Sequence, residues 1–320
     1  MADRLIFTPV EGVGEVVAGD DLAILVASRA SLRAGDVVMV TSKVVSKSLG
    51  LVSQGEKADL LREQTDRVVA RRGQTVIVRT HHGLTMAGAG IDGSNTSPGT
   101  WLSLPADPDG EARRLRSRLR ELTGVLVAVV ITDTAGRAWR VGQTDIAIGC
   151  AGLVPVDSFS GRHDAYGNLL AVTAPAVADE LASGAELASG KVGGRPFVIV
   201  RGLAPDLLCE DDGPGAAALV RPEGEDLFGL GARDAVIGAL GADDDARRGF
   251  VSGVASLPDI LELAGVPEGI SVEADEAIVR LSCRAVDAVD AVDAGRLAQR
   301  IESLAFASGL VGVRVQVSIT

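Results

Sequence analysis

The run VLVAVVI, Val125–Ile131, is an unbroken apolar stretch that ends on Thr132, Asp133 and Thr134. It is far too short to span a bilayer, and without polar alternation both faces of the strand it forms must be covered. Such a strand belongs at the centre of a sheet. VVMV (Val37–Val40), VIV (Val76–Val78) and FVIV (Phe197–Val200) read as further strands. Helix-period segments fall between them at Asp20–Ala30, Gln54–Arg72, Asp109–Thr123 and Val177–Ser189, with Asp109 as an N-cap and Gly124 as a stop. The pattern predicts a mixed α and β organisation.

The texture changes at DDDARRG, from Asp243 onward. Strands are expected near Ile270–Glu273, Ala277–Arg284 and Val311–Ile319, with a helix at Ala294–Ser308. A domain boundary near 245 follows, giving a main domain over 1–245 and a small α+β unit over 246–320. AVDAVDAVDAG lacks the Asp/Asn and Gly spacing of a calcium loop and reads as a solvated lead-in to that helix.

Charge and thiol content exclude several function classes. A formal net charge of −12 opposes a nucleic-acid partner, since affinity for phosphate backbones comes from Lys and Arg displacing counterions. MADRLIFTPVEG has no basic segment followed by an apolar one, so the reading is a cytoplasmic protein with no membrane association. Cys150, Cys209 and Cys283 are widely spaced and form no C-x-x-C pair, and His81, His82 and His163 are the only histidines. Any metal should therefore be a hard one held by oxygen.

Three stretches can carry chemistry. HHGLTMAGAGIDGSN contains a literal G-x-G-x-x-G at Gly88, Gly90 and Gly93, but the proline-rich sequence after it offers no helix to face a pyrophosphate. That argues against a Rossmann-type nicotinamide oxidoreductase. Asp92 and Asn95 then serve either as oxygen ligands on a coiled loop or as ordinary turn formers. Asp133 and Thr134, expected just beyond the central strand, are placed where α/β proteins put ligands, or else cap a turn; Arg137, Arg140 and Asp145 follow. In TSKVVSKSLG, Ser42, Lys43, Ser46 and Lys47 suit a phosphate, or are solvated. The helix holding Leu115, Leu119 and Leu122 reads as having arginines on a solvated outer face. His163 and Asp164 either meet substrate or lie on the surface.

Taken in order, TPVEGVGEVVAGDDL, TSKVVSKSLG, HHGLTMAGAGIDGSN, ITDTAGRAWRVGQTDIAIG, RHDAYGN, AVADELASGAELASGK and VRPEGEDLF closely resemble the coenzyme F420-0:γ-glutamyl ligase family over about residues 3–240. The Ala/Val-rich composition is similar to its actinobacterial branch. The resemblance implies a two-lobed α+β fold with mixed sheets, a homodimer, and GTP-dependent successive addition of L-glutamate to F420-0. It implies that Gly12, Val13, Gly14, Glu15, Ser42, Lys47 and Asn95 touch GTP, as do Gly190 and Lys191. It also implies a divalent cation on Asp92 and Asp133 and a second on Thr134, magnesium or manganese, with potassium as a further candidate. A non-catalytic GTP-binding regulator is the remaining alternative. Gly88 and Arg79 depart from the family's usual Asn and Glu, and residues after about 245 do not match it. The tail is too short for the nitroreductase-like domain of some relatives, so neither FMN nor reductase activity is expected.

Overall fold

The computed structural model describes residues 4–94, 96–241, 244–250, 255–275, 277–284 and 288–319. Two compact units emerge, one of Met1–Asp66 and Val78–Val220 and the other of Arg67–Ile77 and Arg221–Thr320. The fold class is α+β with mixed sheets, as expected. The division between units falls at Val220, upstream of the change of texture near 245.

The first unit is built on a five-stranded sheet in the order Ile6–Pro9, Phe197–Arg201, Val37–Thr41, Ala128–Gly136, Gln143–Ala151. Val37–Thr41 and Ala128–Gly136 run parallel, and the other neighbours are antiparallel. Alternation sorts the residues of each strand. Val38, Val40, Val129, Ile131, Phe197 and Ile199 face one core with the helices Leu22–Ala27 and Pro108–Thr123. Val37, Met39, Ala128, Val130, Val198 and Val200 face the other with the helix Val177–Ser189. Burying each Val, Ile, Met or Phe among them contributes roughly 1.5–3 kcal/mol. The unbroken apolar runs are therefore explained by helices on both faces of the sheet.

Several local readings change. The apolar run enters the sheet only at Ala128 and continues to Gly136, so Asp133 and Thr134 lie inside the strand rather than beyond it. The predicted helix Gln54–Arg72 ends at Gln64, and Thr65–Arg72 is a strand. Its TDRVVARR turns back at Gly73 (φ 58°) to meet Thr75–Thr80, and pairing overrides the weak helical period. Asp107, not Asp109, caps the helix Pro108–Thr123 by accepting Gly110 N–H at 2.8 Å. Asp109 instead accepts the backbone N–H groups of Cys150 (2.8 Å), Ala216 (2.7 Å) and Ala217 (3.2 Å). Gly124 ends the helix in the left-handed region as expected. That helix's outer face is not wholly solvated. Arg116 is buried and donates to the carbonyls of Val127, Cys209 and Glu210 and to the Asp212 carboxylate.

In the second unit a three-stranded sheet, Ile270–Asp275, Ile278–Cys283 and Arg314–Ile319, packs against the helices Leu257–Ala264 and Ala288–Ala307. Ile260, Val279, Leu281, Leu297 and Ile301 form its core. Ser256 and Asp259 close a capping box at the first helix.

Candidate active site

Thr41 and Thr132 are the last register partners of the two parallel strands. Where the parallel pairing stops, the next residues of both chains enter the same space. Those residues are Ser42 and Asp133, and the Ser42 hydroxyl donates to Asp133 Oδ1 at 2.8 Å. Against Gln143–Ala151 the register shifts between Ile131 and Thr132, a bulge that leaves Thr134 directly opposite Asp145. Both Thr132 and Thr134 donate to the buried Asp145.

Asp92 arrives from another element. Gly88, Ala89 and Gly90 have φ of 60°, 55° and 70°, a tight left-handed coil that is costly for any residue but glycine. A Cβ on Gly90 would also stand 2.7 Å from Leu104. The coil delivers Asp92 to Leu102, with which it exchanges backbone hydrogen bonds of 3.1 and 2.8 Å. After Gly93 the next elements among the described residues are the strand Thr100–Leu102 and only then the helix Pro108–Thr123, so no helix N-terminus faces the glycine turn directly, and the dinucleotide reading falls on that ground. The glycines shape the path, and Asp92 is what they present. Its carboxylate is paired with Lys43 at 2.6 Å and accepts the Ser94 N–H and hydroxyl at 2.7 and 2.8 Å.

These groups line one cleft of about 840 Å³, a size suited to a small-molecule substrate. Of the residues singled out by sequence, Gly14, Glu15, Ser42, Lys47, Asp92, Asp133, Thr134, Gly190 and Lys191 line it. Gly12 and Val13 stand outside the lining: the Gly12 carbonyl accepts from Arg29 Nε at 3.0 Å, and Val13 packs on the core. Asn95 lies outside the described residues. His163 and Asp164 sit in an exposed loop away from the cleft, where Asp164 accepts from Tyr166 and Asn168. Sequence reading assigned no role to Glu186 or Arg195, or to the neighbours Thr132 and Asp145. For Thr132 and Asp145 a signal existed, because strand, turn and returning strand in ITDTAGRAWRVGQTD imply cross-strand pairing; for Glu186 and Arg195 there was none.

Charge in the cleft is unevenly compensated. Lys43 pairs with Asp92, Lys47 with Glu15, Lys191 with Glu186 at 3.0 Å, and Arg195 with Glu11 at 3.2 Å. Asp133 and Asp145 face hydroxyls instead. Burial lifts the Asp133 carboxyl to about 6, the charges of Asp145 and Asp92 adding to it against the Ser42 and Thr134 donors. Burial also pushes Asp92 upward, but Lys43 and Ser94 outweigh it and hold this carboxyl below its ordinary value.

The donor set fits a hard divalent cation. Every candidate ligand is a carboxylate or hydroxyl oxygen, and ammonium groups stand against two of them, Lys43 on Asp92 and Lys191 on Thr134 at 2.7 Å. Among the described residues no three His, Cys, Asp or Glu side chains close on one point. One or two carboxylates completed by water and phosphate oxygens is the arrangement magnesium prefers.

Residues 50–202 match the model of the family described as F420-0:Gamma-glutamyl ligase. A protein of Methanopyrus kandleri named coenzyme F420:L-glutamate ligase is 41% identical over 69% of this chain and 96% of its own length. Proteins with the same name from Archaeoglobus fulgidus (40% identity over 61% of this chain and 86% of theirs) and Methanothermobacter thermautotrophicus (37%, 68% and 96%) are also similar. The chain is thus an α+β enzyme of the ligase class. It belongs to the F420-0:γ-glutamyl ligase family. Among the described residues no helix is long and apolar enough to cross a membrane.

Proposed function

We propose that this chain is a GTP-dependent ligase that adds L-glutamate to coenzyme F420-0 and then further glutamates through γ-linkages. The observation that carries the reading is the convergence of Asp92, Asp133 and Thr134 with Glu15, Ser42, Lys47 and Lys191 on one cleft. A carboxylate is a poor electrophile, so its oxygen must first become a leaving group. Transfer of the γ-phosphoryl group of GTP to the F420-0 carboxylate yields an acyl phosphate and GDP. The deprotonated amine of glutamate then attacks the carbonyl, the tetrahedral adduct collapses, and phosphate departs.

All the reactants are anionic, and two unit charges about 4 Å apart repel by roughly 4 kcal/mol at an effective dielectric near 20. Asp92 and Asp133 would hold one magnesium or manganese ion and Thr134 a second, which supply charge neutralisation to the phosphates. Lys47, on the last turn of Ser42–Ser48, brings a point charge to the nucleotide. Ser42 orients Asp133 through its hydrogen bond. Gly14 and Glu15, with Asn95 and the Gly190–Lys191 segment, complete the GTP contacts. A homodimer belongs to the same proposal and is checked by light scattering; FMN has no part in it.

Incubation of the purified protein with GTP, Mn²⁺, L-glutamate and F420-0 is expected to give glutamylated F420 by mass spectrometry, one GDP per glutamate added. Asp92→Asn and Asp133→Asn should each lower the rate by ~100-fold or more. GTP binding with no GDP release in the presence of both co-substrates would instead identify a regulator and overturn the reading.

A further inference from the structure

Asp145 is 5% exposed, yet it borders the cleft. Its two oxygens accept the hydroxyls of Thr132 at 3.1 Å and Thr134 at 2.7 Å, and its own carbonyl accepts the Ser183 hydroxyl at 3.1 Å. Both bonds run from hydroxyl to carboxylate oxygen, so both threonine protons point at it. This settles the rotor of Thr134. With its proton committed to Asp145, Oγ1 turns its lone pairs away, and Lys191 Nζ donates to them at 2.7 Å. A freely rotating hydroxyl would as readily present its proton to an approaching cation, which repels it.

We propose that Asp145 is a positioning residue: by accepting the hydrogen bond of the Thr134 hydroxyl it keeps that oxygen an acceptor toward the cleft, for the Lys191 ammonium and for a hard divalent cation. The inference rests on the metal reading above. Because hydroxyls engage both of its oxygens, Asp145 acts through Thr134 rather than as a ligand. Cross-strand pairing is what makes this dependable: Thr134 and Asp145 are held opposite each other by the ladder, with Thr132 two residues away on the same face.

The test is Mn²⁺ binding to the nucleotide-free protein, read from the electron paramagnetic resonance signal of free Mn²⁺. In Asp145→Asn one amide end must face a threonine as a donor, so a hydroxyl has to reverse. Asp145→Asn and Thr134→Val are each expected to weaken binding by ~10-fold. The double variant should be no weaker than the poorer single, and Thr134→Ser should bind as the parent does. Unchanged binding in folded Asp145→Asn, or a double variant whose loss is the product of the two, overturns the proposal. Should Asp145→Asn fail to fold, the comparison of Thr134→Val with Thr134→Ser decides, and equal binding by these two overturns it. A parent protein that binds no Mn²⁺ overturns the metal reading itself, an outcome distinct from a variant that behaves like its parent.

Discussion

Asp133 shows how a single residue can weaken the fold for the sake of the site. Its carboxyl is raised to about 6 chiefly by burial, above the ordinary value of 3.8. The sign follows from linkage: the stability associated with a raised carboxyl is fully present below the ordinary value and is lost as pH rises through the folded one. At pH 7 the chain therefore carries the penalty of a half-buried anion. Asp133→Asn, which keeps an acceptor for Ser42, is expected to melt higher than the parent at pH 7 without divalent ions, with the gap closing as pH falls below 6. An equal or lower melting temperature at pH 7 would contradict this. Arg116 is the opposite case. It gives hydrogen bonds to three carbonyls and an ion pair to Asp212 at 2.7 Å, so Arg116→Met should cost about 3 kcal/mol in urea denaturation. The arginine-rich period of its helix made a solvated face the natural expectation, because sequence reports which residues are charged and not which find buried acceptors.

Among the elements, the helix Pro108–Thr123 and the strand Gln143–Ala151 approach unusually closely at Gly149. A Cβ there would stand 2.4 Å from the Pro108 carbonyl oxygen, a backbone atom that cannot swing away. Gly149→Ala should cost about 2 kcal/mol through displacement of that helix, measurable by thermal or urea unfolding. The first helix depends on its cap. Asp21 accepts the N–H groups of Ala23 at 2.9 Å and Ile24 at 3.1 Å, and Asp21→Ala should lose about 1 kcal/mol. Slight burial works against the charged form of Asp21, but the Arg118 and backbone bonds prevail and lower its carboxyl. Its stabilisation is present above 3.8 and fades as pH falls through the lowered value. Elements with strong local signals, such as Val177–Ser189 or the stop at Gly124, were readable to within a residue or two. Thr65–Arg72 was not, because its β-branched pair becomes a strand only when Thr75–Thr80 lies alongside.

At the scale of the whole molecule, the segment from Ala255 onward has a core of its own, centred on Ile260, Leu281, Leu297 and Ile301. Expressed alone, residues 255–320 are expected to melt cooperatively with stability of about 5 kcal/mol or less, as befits so small a core; a non-cooperative circular dichroism melt would refute this. The class of fold was legible along the chain, since apolar runs with no polar alternation require a sheet covered on both faces, and the ordered motifs marked the family. The same local reading marked Asp92, Asp133 and Thr134 as candidates, because each sits in a stretch whose glycines or change from apolar to polar residues are visible locally. That Ser42 meets Asp133 across 91 positions, that Lys43 meets Asp92, and that Asp145 accepts from Thr134 follows from the folded arrangement alone. Periodicity states which face of an element is buried, whereas strand order, register and bulges decide which faces meet, and the chemistry of a site depends on that meeting.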